Sequence, residues 1–233
     1  MVAVLVRDRD RHSNAAPVTS SLVDSLDDLL SATPDVVVEA AGHDAVRAHA
    51  PAVLRRGVDV LCISIGALAD PDLLGEITAA ARAGRSRLLL ASGAVGSLDA
   101  LRAARTLGLD AVKHTIRKPL DALPELPRSL ADEEVLVFTG TARAAALQFP
   151  ANANVVAAVG LAGLGLDETQ VEIIGSSTAV RNAHEIHAAG AFGEMTFQIS
   201  NRRDPANPRS SMLAAGSLAA ALIGLTAPVC WAS

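Results

Sequence analysis

The chain has 233 residues, half of them apolar, with 20 Lys and Arg against 25 Asp and Glu and a net charge of −5. That length buries one large core or two modest ones, while the lack of a basic cluster and an aromatic content of 2% argue against a nucleic-acid partner. Cys62 and Cys230 form no C-x-x-C pair, which excludes a disulfide framework and a zinc-finger site and fits reduced thiols in a cytoplasm.

Residues 2–6 are an apolar run that leads straight into Arg7-Asp8-Arg9-Asp10. A secretory signal has its positive charge before a longer apolar region, so no export signal is read here and the expected location is cytoplasmic. From residue 2 to residue 116, short β-branched runs alternate with Ala/Leu-rich helical patterns, the mark of βαβ units around a parallel sheet. Strands are expected over residues 2–6, 35–39, 58–64, 87–91 and 111–116. Because Val36 to Val38 and Leu88 to Leu90 are consecutive apolar residues, these strands read as covered on both faces. The polar residues 11–21 read as a mobile loop.

Val46, Ala50, Val53 and Leu54 recur at helical spacing with Arg47, Arg55 and Arg56 opposite, and Gly57 supplies a stop. The next helix starts at Asp70 and Pro71, turns Leu73, Leu74, Ile77 and Ala81 inward, and ends at Gly84. A third follows Ser97, with Leu98, Leu101 and Ala104 on one side. After Arg117-Lys118-Pro119, Pro124 and Pro127 break regular structure, and the domain boundary is placed there. The expected organisation is a dinucleotide-binding-type domain over 1–118, an α+β domain over 119–208 and an apolar helix over 209–233.

The second part offers a strand at 135–138, helices at 142–147 and 154–164, and a strand at 169–174. Met195, Phe197 and Ile199 alternate with Thr196 and Gln198, as in a strand with one buried face. Residues 210–225 are apolar nearly all round, so that helix reads as sandwiched between other elements, packed back on the core. Gly216, Ser217, Gly224 and Pro228 leave less than the roughly twenty apolar residues a membrane span needs.

His184 and His187 carry the chemistry-bearing signal. In a strand, Asn182, His184 and Ile186 share one face, whereas Ala183, Glu185 and His187 share the other. The two imidazoles therefore diverge, and His-Glu-Ile-His is not the helical His-Glu-x-x-His of zinc enzymes, so no metal site is expected. With an ordinary pKa near 6.5, His184 suits a proton acceptor and donor at neutral pH; its plainer reading is a hydrogen-bonded structural residue. Gly42, Gly66 and Gly93 each follow a predicted strand, at the edge where open α/β sheets bind ligands. Asn154 opens an apolar helix, where it serves as a cap or as a cofactor contact. Glu39 and His43 lie near the same edge as cofactor neighbours or local turn partners. His12, His49 and His114 stand in no pattern and read as solvent-facing or structural.

The blocks Val38-Glu39-Ala40-Ala41-Gly42-His43, Ser64-Ile65-Gly66-Ala67-Leu68, Ser92-Gly93-Ala94-Val95-Gly96, Arg117-Lys118-Pro119, Phe149-Pro150-Ala151-Asn152-Ala153-Asn154-Val155, Leu161-Ala162-Gly163-Leu164-Gly165-Leu166-Asp167 and Asn207-Pro208-Arg209-Ser210-Ser211 occur in that order. Together with Arg181-Asn182-Ala183-His184-Glu185, they resemble the L-aspartate dehydrogenase family over nearly the whole chain. The resemblance implies an α/β fold with a Rossmann-like parallel sheet and an α+β domain. It further implies His184 as the catalytic histidine, Ala94 and Asn154 as nicotinamide contacts, and NAD or NADP as cofactor. The implied reaction oxidises L-aspartate to iminoaspartate, which water converts to oxaloacetate and ammonia, with iminoaspartate feeding NAD synthesis. Lys118 and Arg117 are the cations to weigh as substrate-carboxylate partners, against a plain reading as solvated charges. The apolar C-terminal helix and the second-domain sheet lead to an expected homo-oligomer.

One departure stands out. Residues 2–6 resemble the family's second strand, and no Gly-x-Gly-x-x-Gly turn precedes a helix here, so the first βα unit reads as lacking. Arg7, Asp8, Arg9 and Asp10 then fall where the ribose is read, and both a carboxylate for NAD and an arginine for NADP are present. A start upstream of Met1 is the favoured explanation, which a native mass of 23.8 kDa would rule out. The alternative is a shortened paralogue acting as a binding or interaction protein. A different oxidoreductase family of the same plan fits the fold but not the order of the blocks.

Overall fold

The computed structural model describes residues 2–9, 21–120, 134–179, 181–202, 204–205 and 210–230. Asp10, the polar loop expected over 11–21 except residue 21, the proline-broken stretch 123–127 and Asn207-Pro208-Arg209 lie outside these. The chain divides into two compact units, Met1–Cys62 with Asp72–Leu89, and Ile63–Pro71 with Leu90–Ser233.

The first unit is built on parallel strands. β1 (Ala3–Leu5) pairs with β2 (Ser21–Val23) in parallel, Val4 opposite Leu22. Ser25 opens α1 (Leu26–Ser31) by accepting from the Asp28 backbone N–H at 3.1 Å, an N-cap that satisfies one orphan donor. β3 (Val36–Glu39), β4 (Asp59–Cys62) and β5 (Leu88–Leu90) follow in the order β3-β4-β5, with Val37 opposite Val60. These are two separate sheets among the described residues.

Two-sided burial holds for β4, where Val60, Leu61 and Cys62 are all buried. It fails for Val38 on β3 and Leu90 on β5, which are exposed because both strands are edges of the three-stranded sheet. α2 (His43–Arg55) buries Val46, Ala50, Val53 and Leu54 as its spacing predicts. α3 (Pro71–Gly84) buries Leu73, Ile77 and Ala80. A Cβ on Gly84 would sit 1.8 Å from the Leu54 carbonyl oxygen, so only glycine allows that approach.

The second unit is a five-stranded mixed sheet in the order β10-β9-β6-β8-β7, comprising β6 (Leu109–Pro119), β7 (Glu134–Thr141), β8 (Gln170–Ser176), β9 (Ala183–Gly190) and β10 (Gly193–Ser200). β6 is parallel to β8 and antiparallel to β9. The strand expected over 111–116 as the last of the parallel sheet is therefore the centre of this second sheet. Its burial shows why: Val112, His114, Ile116 and Lys118 are all buried, while of the alternate residues Lys113 and Arg117 are not and only Thr115 is, a largely one-sided pattern suited to a half-covered sheet.

α4 (Leu98–Leu107), α5 (Ala142–Gln148) and α6 (Ala153–Ala162) belong to this unit. Val95, Leu101, Val112, Val159, Ala162, Ile186 and Ala188 form one buried cluster that joins α4 and α6 to the inner face of β6 and β9. The opposite face is wet: Lys113 pairs with Glu172 at 2.9 Å and His187 with Glu194 at 2.7 Å. α7 (Met212–Thr226) departs from the expectation of a sandwiched helix. None of its residues is buried, and Met212, Leu213, Ile223 and Leu225 are exposed. An apolar pattern on every side says that no face is dedicated to water, but not what covers it.

At the β6/β9 junction a Cβ on Gly190 would lie 2.2 Å from the Gly108 carbonyl oxygen, whereas one on Gly216 in α7 meets nothing within 4 Å. Gly190→Ala is expected to cost about 2–3 kcal/mol in urea denaturation, and Gly216→Ala to be neutral or to stabilise by up to about 1 kcal/mol. Equal effects of the two substitutions would contradict this packing.

Candidate active site

The pairing of β6 with β9 builds the site. Ile116 lies opposite both Ile173 on β8 and His184 on β9, and Ile199 on β10 flanks His184 from the other side. Strand alternation then puts His114, Ile116 and Lys118 on the face that carries His184. His184 is 5% exposed, Lys118 7% and His114 0%, so three ionisable side chains share one buried surface. Nε2 of His114 is 3.2 Å from Nδ1 of His184, with the rings tilted by 37°.

Burial decides the charge of both rings. His114 is pushed down to about 3, chiefly by desolvation and secondarily by His184. His184 is pushed down to about 4, again first by desolvation and then by the Lys118 ammonium. Both imidazoles are therefore neutral at pH 7, as a proton-accepting group must be before it acts. His114 Nδ1 and Asn182 Oδ1 are buried without a hydrogen-bond partner among the described residues. His187, on the reverse face, bonds Glu194 instead, so the two histidines of the segment diverge as their spacing predicts.

The other two sequence-predicted residues, Ala94 and Asn154, fall in this same unit. Ala94 sits in the turn after β5, and its carbonyl accepts from Asn201 Nδ2 at 2.8 Å. Asn201 also donates its backbone N–H to the Asn182 carbonyl, two residues before His184. The end of β10 thus ties the Ala94 turn to the His184 end of the sheet. Gly93 N–H donates to Ser217 Oγ at 2.9 Å, the bond by which α7 reaches this turn. Asn154 is not the cap of α6; Asn152 holds that position without a side-chain bond. Asn154 Oδ1 accepts from the Gly66 N–H at 2.9 Å, fixing the buried 3-10 turn Ile65–Ala69 against the start of α6.

A flat ring such as a nicotinamide would meet bare backbone at the Ala94 turn. Gly93 has φ +69° and nothing within 4 Å of where a Cβ would stand, so backbone is bare beside Ala94. In the first unit Gly42 has φ +114° and the same open surroundings. Glu39 is a local turn partner: its carboxylate accepts from the Ala41 and Gly42 N–H groups, each at 2.8 Å, and from the Cys62 thiol at 3.3 Å. Arg7, Asp8 and Arg9 are exposed just beyond β1.

Lys118 and Arg117, adjacent in sequence, part company. Arg117 is on the reverse face, bonded to Glu134 at 3.0 Å, where it lines a cavity of about 520 Å³. His114 and Asn201 were not singled out as site residues by the sequence. For His114 the signal was there, in the alternation of Val112, His114, Ile116 and Lys118; Asn201 follows a strand end and gives none.

The depressed histidines set the response to acid. In the unfolded chain a histidine titrates near 6.5, so between about 6.5 and about 4 it holds protons that the folded chain refuses, and stability falls as pH falls through that window. The urea midpoint is expected to drop steadily from about pH 7 to about pH 4.5, and His114→Phe to flatten that slope. A midpoint independent of pH, or a slope untouched by the substitution, would contradict neutral burial of the pair.

Residues 99–225 match the family described as the aspartate dehydrogenase C-terminal domain, and residues 1–91 match that of the homoserine dehydrogenase NAD-binding domain. An L-aspartate dehydrogenase of Ruegeria pomeroyi is 52% identical over 200 residues, covering 81% of this chain and 71% of that protein. One from Ralstonia nicotianae is 44% identical over 195 residues, covering 81% and 73%. The crystal structure of an aspartate dehydrogenase from Thermotoga maritima superposes with a TM-score of 0.79 at 24% identity, over 94% of this chain and 86% of that one, and shares the fold. The site on the buried sheet face lies within the region matched by the family's own C-terminal domain, and the chain belongs to the L-aspartate dehydrogenase family.

Proposed function

We propose that this chain oxidises L-aspartate to iminoaspartate with NAD or NADP, and that His184 then directs the hydration that yields oxaloacetate and ammonia. One observation supports this reading most: a neutral, buried imidazole shares its sheet face with a lysine, in a chain 52% identical to an L-aspartate dehydrogenase. The nicotinamide nucleotide supplies the hydride acceptor. Asn154 and the backbone around Ala94 would hold its ring.

His184 takes a proton from the attacking water as the water oxygen bonds to the imine carbon and the C=N electron pair moves to nitrogen. It returns that proton to nitrogen, and the remaining hydroxyl proton follows through the same imidazole as the C–N bond breaks, so that nitrogen leaves as ammonia and the carbonyl forms. Lys118 offers its ammonium to a substrate carboxylate on the same face, a charge-assisted contact, whereas Arg117 is turned away. Among the described residues no helix is long and apolar enough to cross a membrane. A cytoplasmic homo-oligomer is the proposed setting, with the uncovered α7 available for self-association. A binding role without turnover is the second reading, favoured by the division of the first unit's described strands into two separate sheets.

L-aspartate-dependent nucleotide reduction is expected from the wild-type chain, and His184→Ala should lower kcat by about 10²–10⁴-fold. Turnover unaffected by His184→Ala would overturn the assignment, and no turnover with either nucleotide would favour the binding role. Lys118→Met should raise KM for L-aspartate by about tenfold or more, with Arg117→Met changing it less than about threefold. The reverse ranking would place the substrate on the other face.

A further inference from the structure

His114 has no part in the reaction as proposed, yet it is fully buried and within hydrogen-bond distance of the ring that does. We infer that His114 is a positioning residue whose Nε2 accepts a hydrogen bond from Nδ1–H of His184, so that His184 presents a bare Nε2 for proton transfer. This rests on His184 being the proton acceptor.

Two neutral rings 3.2 Å apart share one proton between Nδ1 of His184 and Nε2 of His114. If His114 donated it, His184 would carry its own proton on Nε2 and could take none from the substrate side. If His184 donates it, Nε2 is a lone pair, and the imidazolium formed when it accepts a proton keeps its Nδ1–H on His114. The positive charge of Lys118 on the same face acts against a second positive charge on His184, so the bond is made between two neutral rings. His114 Nδ1 lacks a partner in either arrangement and so does not separate them. Ile116 and Ile199, opposite His184 on the two flanking strands, and Ile186 two residues along its own strand are apolar and cannot hold the ring by a hydrogen bond. A neutral imidazole thus fills the place a carboxylate often takes behind a working histidine.

Histidine ¹⁵N NMR of the full chain tests this directly. Of the six histidines, His114 and His184 are assigned by the signals lost in His114→Phe and His184→Gln. A protonated Nδ1 and a bare Nε2 on His184, with a bare Nε2 on His114, are expected; a proton on His184 Nε2 would overturn the inference. In turnover, His114→Phe fills the volume without an acceptor and should lower kcat about 10–100-fold while KM for L-aspartate changes less than about threefold. His114→Gln, whose amide oxygen can stand where Nε2 was, should recover most of that loss, and equal impairment by Phe and Gln would overturn the positioning role. The tautomer is read on the wild-type chain without turnover. A His184→Ala variant that keeps full activity alongside the expected tautomer would therefore sink the catalytic reading and not the hydrogen bond.

Discussion

The register of β6 against β9 is the constraint on which the rest of the molecule depends. With Ile116 opposite His184, the side-chain period of two puts His184, His114 and Lys118 on the helix-covered face. A slip of one residue would exchange every side chain between faces, bringing Glu185 and His187 inward and leaving His184 in water. The core opposes that slip of β9, since Ile186 and Ala188 would leave the cluster they form with Val112, Val159 and Leu101. The packing that stabilises the unit is thus the same packing that desolvates the imidazole pair.

The two faces of this sheet show how surroundings separate like residues. His187 is 40% exposed at its side chain and pairs with an exposed Glu194, an arrangement worth little to stability in water. His184, three positions earlier, is buried beside a second imidazole and an ammonium, and is held neutral far below the pH at which free histidine gains its proton. Arg117 and Lys118 repeat the contrast one residue apart, the first in a surface pair with Glu134 and the second buried. Chemistry and solvation are divided between the faces by alternation alone.

Much of this was legible in the sequence, because periodicity is local. The divergence of His184 and His187, the inward residues of α2, Leu73 and Ile77 on α3 and the one-sided strand at 195–199 all follow from spacing within one element, whereas on α3 Ala80 is buried and the expected Leu74 and Ala81 are only half-buried. Partners are not local, and there the sequence said less. The run at 111–116 looked like one more parallel strand, but its mates are β8 and β9, whose residues lie far along the chain. His114 looked patternless because the atom it meets is 70 positions away. Asn154 read equally as a cap or a contact, and only the position of the Gly66 N–H shows that its oxygen is spent on the 3-10 turn. Uniform apolarity foretold a buried α7, yet it carries no information on what lies against it.

The central claim is that strand register keeps the His184 ring out of water and neutral. Titration of that ring by NMR, from about pH 8 downward, measures this most directly. An imidazole that stays uncharged until about pH 4 is expected; a midpoint near 6.5, as for a freely solvated histidine, would contradict it.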